Sequence, residues 1–216
     1  MFENKNELIC SGFCEGREII LEIMEAAVRA VNSYEAAAEK IRLEENDLIF
    51  NNLRYDLSKI DNIYVIGGGK ATLPIAQALE EVLGDRISEG VINVKKKTKE
   101  LNRITVIEAG HPIPDEKGWE GAKKIVEIAD KAGEKDLAIC VITGGASALI
   151  PMPAEDIDLE DLKKINKLLL NSGAPLEDIN TVRKHISKTK GGKLAKIINP
   201  AKIVNLIVID EIAGEP

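Results

Sequence analysis

The chain has 216 residues, 44% of them hydrophobic, and a formal net charge of −7. That length supports one sizeable α/β core or two small ones. The acidic balance, with only 3% aromatics, argues against a general nucleic-acid binder, which needs a basic face and stacking platforms. Three cysteines and two histidines make neither a disulfide framework nor a well-spaced zinc site. The polar start Met1–Lys5 and the lack of any apolar run near about 18 residues predict no signal peptide, no membrane span and a cytoplasmic protein.

Residues 15–41 read as one or two helices. Ile19, Ile20, Ile23, Ala26, Ala27, Ala30 and Val31 form an apolar stripe, and Ser33 is placed to cap Tyr34 to Ile41. This arm is expected on the outside of a sheet. Residues 46–57 alternate weakly and suit short strands or an irregular bridge. Ile63 to Ile66 is a short β-branched run, the pattern of a buried strand. Gly67, Gly68 and Gly69 follow at once, and from Lys70 the period becomes helical until Gly84. Gly90 to Lys95 and Ile104 to Glu108 are predicted strands, with Lys95, Lys96, Lys97 and Lys99 as a solvated loop. Asp115 can cap a helix from about Lys117 to Ala132. Leu137 to Ile142 is the most apolar predicted strand and runs into Thr143-Gly144-Gly145-Ala146-Ser147-Ala148. Residues 159–172 and 175–198 carry helical patterns broken at Gly173 and Gly191-Gly192, and Ile203 to Ile209 is a last strand, ended by Asp210.

Strands alternating with helices predict an α/β fold, a mostly parallel sheet covered on both faces, whose ligands sit outside the carboxyl ends of the strands. That edge would gather Gly67–Lys70, His111–Asp115, Gly144–Ser147 and Asp210. The two glycine turns are candidate anion cradles, because backbone N–H groups at a helix start can point at a phosphate or carboxylate. The first is neither a Walker A loop nor a full dinucleotide fingerprint, since Thr72 stands where the third glycine belongs. Packing glycines and a solvated lysine would account for the same residues. Ser147 lacks the Gly-x-Ser-x-Gly frame of a nucleophile elbow. Between Pro112 and Pro114 the His111–Asp115 loop is stiff, which suits either a binding loop or a simple helix cap. Residues 181–209 contain no acidic residue but hold Arg183, Lys184, Lys188, Lys190, Lys193, Lys196 and Lys202, a field that would attract a small polyanion.

Several segments together resemble a known family. These are Gly69-Lys70-Ala71, Gly110-His111-Pro112-x-Pro114-Asp115, Thr143 to Leu149, Ser172-Gly173-Ala174, Asn180-x-Val182-Arg183-Lys184-His185 and Lys190-Gly191-Gly192-x-Leu194-Ala195. In this order they resemble the glycerate kinases whose C-terminal half is the MOFRL domain, over about residues 15–216. The resemblance implies a Rossmann-like three-layer α/β/α domain followed by a smaller α/β domain, with the active site between them. It implies transfer of the ATP γ-phosphoryl group to a hydroxyl of D-glycerate with Mg²⁺. Lys70 matches the family's active-site lysine. Asp210 matches the first aspartate of its Ser-Asp-Val-x-Gly-Asp strand end, a catalytic position and a candidate Mg²⁺ ligand. Gly67, Gly68, Gly69, His111, Asp115, Gly144, Gly145, Ser147, Asn180, Arg183 and Lys190 are the candidate substrate- and nucleotide-binding residues.

Three departures stand out. Ala146 replaces a glycine of the Ser-Gly-Gly-Gly-Ser loop, Ala213-Gly214 replaces Gly-Asp, and the sequence ends at Pro216, about half the family's length. Residues 1–216 are therefore expected to be the N-terminal glycerate-kinase-like domain, with the second domain as its missing intramolecular partner and a homodimer as an open alternative. Two rival functions stay open: a hydroxypyruvate reductase, and a truncated, non-catalytic binding domain.

Overall fold

The structure, a computed structural model, describes residues 2–10 and 12–208. Its elements in chain order are α1 (Lys5–Ile9), α2 (Cys14–Ala30), α3 (Ser33–Lys40), β1 (Ile41–Glu44), β2 (Asp47–Phe50), β3 (Leu53–Asp56), β4 (Ile63–Gly68) and α4 (Thr72–Leu83). There follow β5 (Ile87–Val94), β6 (Ile104–Glu108), α5 (Glu116–Lys131), β7 (Leu137–Thr143), α6 (Ala146–Leu149), α7 (Leu159–Asn171), α8 (Leu176–His185), α9 (Lys193–Ile198) and β8 (Lys202–Val208).

Five strands form a wholly parallel sheet in the order β6-β5-β4-β7-β8. Strand alternation splits the core into two layers. Ile63 and Val65 face one side with Leu73, Leu79, Ile139 and Val141, under α4. Tyr64 and Ile66 face the other with Ala122, Ile125, Cys140 and Ile198, under α5 and α9. Helices on both faces explain why the strands read as nearly continuous apolar runs. The result is the expected Rossmann-like α/β/α sandwich. The strand order reverses between β4 and β7, which places a crevice at the carboxyl ends of that pair.

Residues 41–56 take the first of the two forms expected for 46–57, short strands rather than an irregular bridge, and they begin at Ile41, where the helix was expected to end. They form a three-stranded antiparallel meander, β1-β2-β3, with Leu48 and Phe50 buried. Ile41 is its first strand residue, and the cap of α3 is Asn32 rather than Ser33: the Asn32 side chain accepts from Tyr34 N at 2.9 Å and Glu35 N at 3.4 Å. The apolar stripe of α2 does not lie on the sheet. Only Leu21 of that helix is buried, while Ile19, Ile20, Ile23 and Met24 are exposed. Among the described residues no helix is long and apolar enough to cross a membrane.

The contact between β4 and β7 dictates the glycines. A Cβ on Gly67 would sit 2.0 Å from the Val141 carbonyl oxygen, and one on Gly69 2.0 Å from Thr143 Oγ1. Gly67 and Gly68 thus belong to the strand interior, buried and without room for a side chain. Gly67→Ala should cost at least about 3 kcal/mol through this backbone clash. Gly173→Ala, with open space around it but a φ of +69°, should cost about 1 kcal/mol. Urea denaturation of the two variants checks the contrast.

Candidate functional site

The first glycine turn is not an anion cradle in the sense expected. Its N–H groups are spent within the protein. Gly69 N donates to Asn93 O at 3.0 Å, Lys70 N to Gly144 O at 2.8 Å, and Ala71 N to Thr143 Oγ1 at 3.0 Å. Thr72, in the third-glycine position, is buried, and its hydroxyl meets Thr143 Oγ1 at 3.2 Å. The two turns are bolted to each other, and Thr143 is the bolt. Lys70 leaves this junction with an exposed side chain.

The second turn is open where the first is closed. Gly145 adopts φ +90° and starts α6. The N–H groups of Gly145, Ala146 and Ser147 meet no protein acceptor among the described residues. A Cβ on Gly145 would lie 2.9 Å from the His111 ring and 3.4 Å from Lys70 Cγ. The structure therefore gathers Lys70, His111 and the Gly144–Gly145 turn at one point, as the sheet-edge expectation required. Burial, with the positive charges of Lys70 and Lys95 nearby, lowers the His111 pKa below its ordinary value, so the ring is neutral at pH 7. Lys95, expected as part of a solvated loop, is exposed but acts electrostatically here. Asp115 serves as a cap: its Oδ1 accepts from Gly118 N at 2.8 Å at the start of α5.

Two residues beyond Gly145, Ser147 opens onto a cavity of about 610 Å³ between β7, β8, α6, α8 and α9. Its polar lining includes Ser147, Asn180, Arg183, Lys184, Thr189, Lys190 and Asn205, and its apolar lining includes Ile142, Leu194 and Ile203. No acidic residue lines it among the described residues. The helical pattern over 175–198 is interrupted at Gly191-Gly192 as expected, giving the two helices α8 and α9, and Lys190 sits in the loop between them. Gly191 and Gly192 hold left-handed φ values of +65° and +82° there. Short backbone bonds pin that loop: Ala154 N donates to Ile186 O at 2.9 Å, and Lys188 N to Met152 O at 2.8 Å. Lys193 closes the end of α8 by donating to Lys184 O at 2.8 Å and Ser187 O at 2.6 Å.

The basic run of the sequence thus divides. Lys193 caps a helix and Lys188 pairs with Glu155 at 3.4 Å, whereas Arg183 and Lys190 meet the cavity without a carboxylate partner among the described residues. Among the described residues Lys190 Nζ donates only to Ile150 O, at 3.1 Å. Burial, and then the Arg183 charge, lower its pKa to about 8. Burial also lowers the Arg183 pKa. Cys140, on the cavity wall, has its thiol pushed up to about 12 by burial, which leaves it inert as a nucleophile. Two partly desolvated cations with a hydroxyl, an amide and open backbone N–H groups are the chemistry of an anion site.

Sequence reasoning missed Asn166, which holds Arg183, and the reason for Thr72. A polar residue within the apolar run of α7 was the only signal for the first, and the broken glycine motif for the second. Asp210, the candidate catalytic and metal residue, lies outside the described residues.

Such a domain, a parallel sheet with cationic and backbone groups collected where the strand order reverses, is of the Rossmann-like α/β class. The chain belongs to the family described as a domain of unknown function (DUF4147), which matches residues 19–216. A glycerate 2-kinase of Pyrococcus horikoshii is 44% identical over 200 residues, 92% of this chain and 44% of its own length. A protein of Agrobacterium vitis named as a hydroxypyruvate reductase is 40% identical over 153 residues, 70% of this chain and 40% of its own. The crystal structure of a glycerate kinase from Thermotoga maritima superposes with a TM-score of 0.75 at 33% identity, covering 90% of this chain and 44% of that one. The chain spans under half the length of these relatives.

The buried charge of Lys190 gives a test of the site itself. Its folded pKa lies below the ordinary lysine value of 10.5, so charging it costs stability. That cost is complete below about pH 8 and is relieved as pH rises from 8 toward 10.5. Lys190→Met should therefore raise Tm by a few degrees at pH 7 and by progressively less toward pH 10, in thermal unfolding followed by circular dichroism.

Proposed function

We propose that this chain is the N-terminal part of an ATP-dependent kinase that phosphorylates D-glycerate, a glycerate 2-kinase. The observation that carries this reading is the pair Arg183 and Lys190, facing a cavity with no acidic lining among the described residues. Phosphoryl transfer asks a protein mainly for positioning and for neutralisation of phosphate charge, and these residues suit both. In this reading Arg183 and Lys190 take phosphate oxygens. Ser147 and Asn180 offer a hydroxyl and an amide to the ligand, and the N–H groups of the Gly144–Gly145 turn orient an oxyanion. Lys70 stabilises developing charge, and neutral His111 shields that point from water and can accept a hydrogen bond from a substrate hydroxyl. The similarity to kinases over nearly the whole chain supports the assignment.

Mg²⁺ enters this reading with the ATP phosphates, which share it with one or two protein carboxylates; among the described residues no group of three or more His, Cys, Asp or Glu could hold a metal ion. The role proposed for Asp210 rests on its motif match alone. The second domain of the relatives is proposed to supply the far wall of the site.

The reductase alternative has less support. A dinucleotide needs an open glycine turn at a helix start, and here Gly67 and Gly68 are packed inside β4 while Thr72 fills the third position. ATP-dependent phosphorylation of D-glycerate, assayed for the chain alone and for the chain joined to the C-terminal half of the Pyrococcus horikoshii relative, separates the readings. Activity is expected in the joined form, with Lys70→Ala lowering kcat/KM by about 10²-fold or more. Oxidation of NAD(P)H by hydroxypyruvate without ATP dependence would overturn the kinase assignment. A folded joined form with neither activity would favour a binding domain.

A further inference from the structure

Arg183 is the only guanidinium on the cavity wall among the described residues, and it is held by an unusual partner. Its Nε donates to Asn166 Oδ1 at 2.9 Å, across the junction of α7 and α8. The Asn166 amide is itself fixed in orientation, because its Nδ2 donates to Leu162 O at 2.9 Å, one turn back on α7. Its oxygen therefore faces the guanidinium. Only Nε is engaged: neither terminal nitrogen of Arg183 has a protein acceptor among the described residues.

The choice of an amide is significant because carboxylates are plentiful on the same helix. Glu160 pairs with Lys163 and Asp161 with Lys164, at 2.7 and 3.1 Å. A partly buried arginine is ordinarily held by a carboxylate, which fixes its geometry and cancels its charge. An amide fixes the geometry and leaves the charge. The free edge of the fork, with two terminal nitrogens side by side, is the edge that takes two oxygens of one phosphate.

Resting on the reading of the cavity as a phosphate site, we propose that Asn166 is a positioning residue that aims Arg183 into the cavity while keeping its charge uncancelled, so that the Arg183–Lys190 pair can capture a polyphosphate. Asn166 touches no ligand in this proposal and acts through Arg183.

Asn166→Asp and Asn166→Leu separate this role from a structural one. The probe is inorganic triphosphate, titrated into the 216-residue chain by calorimetry at pH 7, with Tm measured in parallel. The aspartate variant is isosteric and gains an ion pair, so its Tm should match or exceed that of the parent chain, while its affinity falls about tenfold or more. The leucine variant should lose Tm, and lose affinity by a smaller factor because the charge remains. A merely structural role would make affinity follow Tm, and that ranking would overturn the proposal. So would an aspartate variant that binds as tightly as the parent. A parent chain that does not bind triphosphate would overturn both this proposal and the phosphate reading of the cavity. Binding and rank order as expected, with no glycerate phosphorylation in the joined enzyme, would sustain the proposal and sink only the kinase assignment.

Discussion

The close approach of β4 to β7 is the constraint on which the site depends. The two strands lie so near that no side chain fits at Gly67 or Gly69, and this is also where the strand order of the sheet reverses. The chain solves the crowding by removing side chains from β4 and by using one hydroxyl, Thr143 Oγ1, to bind both Ala71 N and the Thr72 hydroxyl. A turn held this way cannot also hold a ligand through the same N–H groups. The anion site we propose lies one strand over, at the turn after β7, whose N–H groups meet no protein acceptor among the described residues, and at the loop that carries Lys190.

From this junction the chemistry is ordered outward. Lys70 and His111 meet Gly145 on one side of the turn. On the other, Ser147 shares a cavity with Arg183, Lys190 and Asn180. The cationic side is costly to build. Lys190 is desolvated beside Arg183, and burial lowers both their pKa values. Charge placed this way destabilises the free domain and is relieved when an anion arrives, which is the usual trade between stability and function at a binding site. The neutral Asn166 belongs to the same logic, since a carboxylate in its place would stabilise the helix pair and spoil the field.

The layered fold was legible in the sequence because its signals are local and strong. β-branched runs such as Leu137 to Ile142 and the capped period of α5 need no tertiary information. The meander was legible only in part: short strands were one of two readings of residues 46–57, because Ile41 to Asp56 mixes polar and apolar residues without a clean period, and Ile41 continues a helical pattern into a strand. The outer face of α2 was misjudged for the opposite reason: its stripe is regular, but periodicity does not say what covers it. Of the candidate site residues, Lys70 and His111 come together at Gly145, while Ser147, Asn180, Arg183 and Lys190 line one cavity. The sequence overstated Gly67 and Gly68, since a glycine admitted for packing and one admitted for a ligand look alike in one dimension. Asn166 showed only as a polar residue in an apolar run, and its role stayed hidden because its partner lies seventeen residues away on another helix.

The most direct test of the account is the proton balance of phosphate binding. Titration of the chain with inorganic triphosphate at pH 8, in two buffers of different ionisation enthalpy, gives the number of protons taken up. A lysine near its midpoint that becomes fully charged beside a phosphate should take up about half a proton per site. Binding with no proton uptake would mean that Lys190 is not the phosphate ligand, and no binding at all would contradict the reading of the cavity as an anion site.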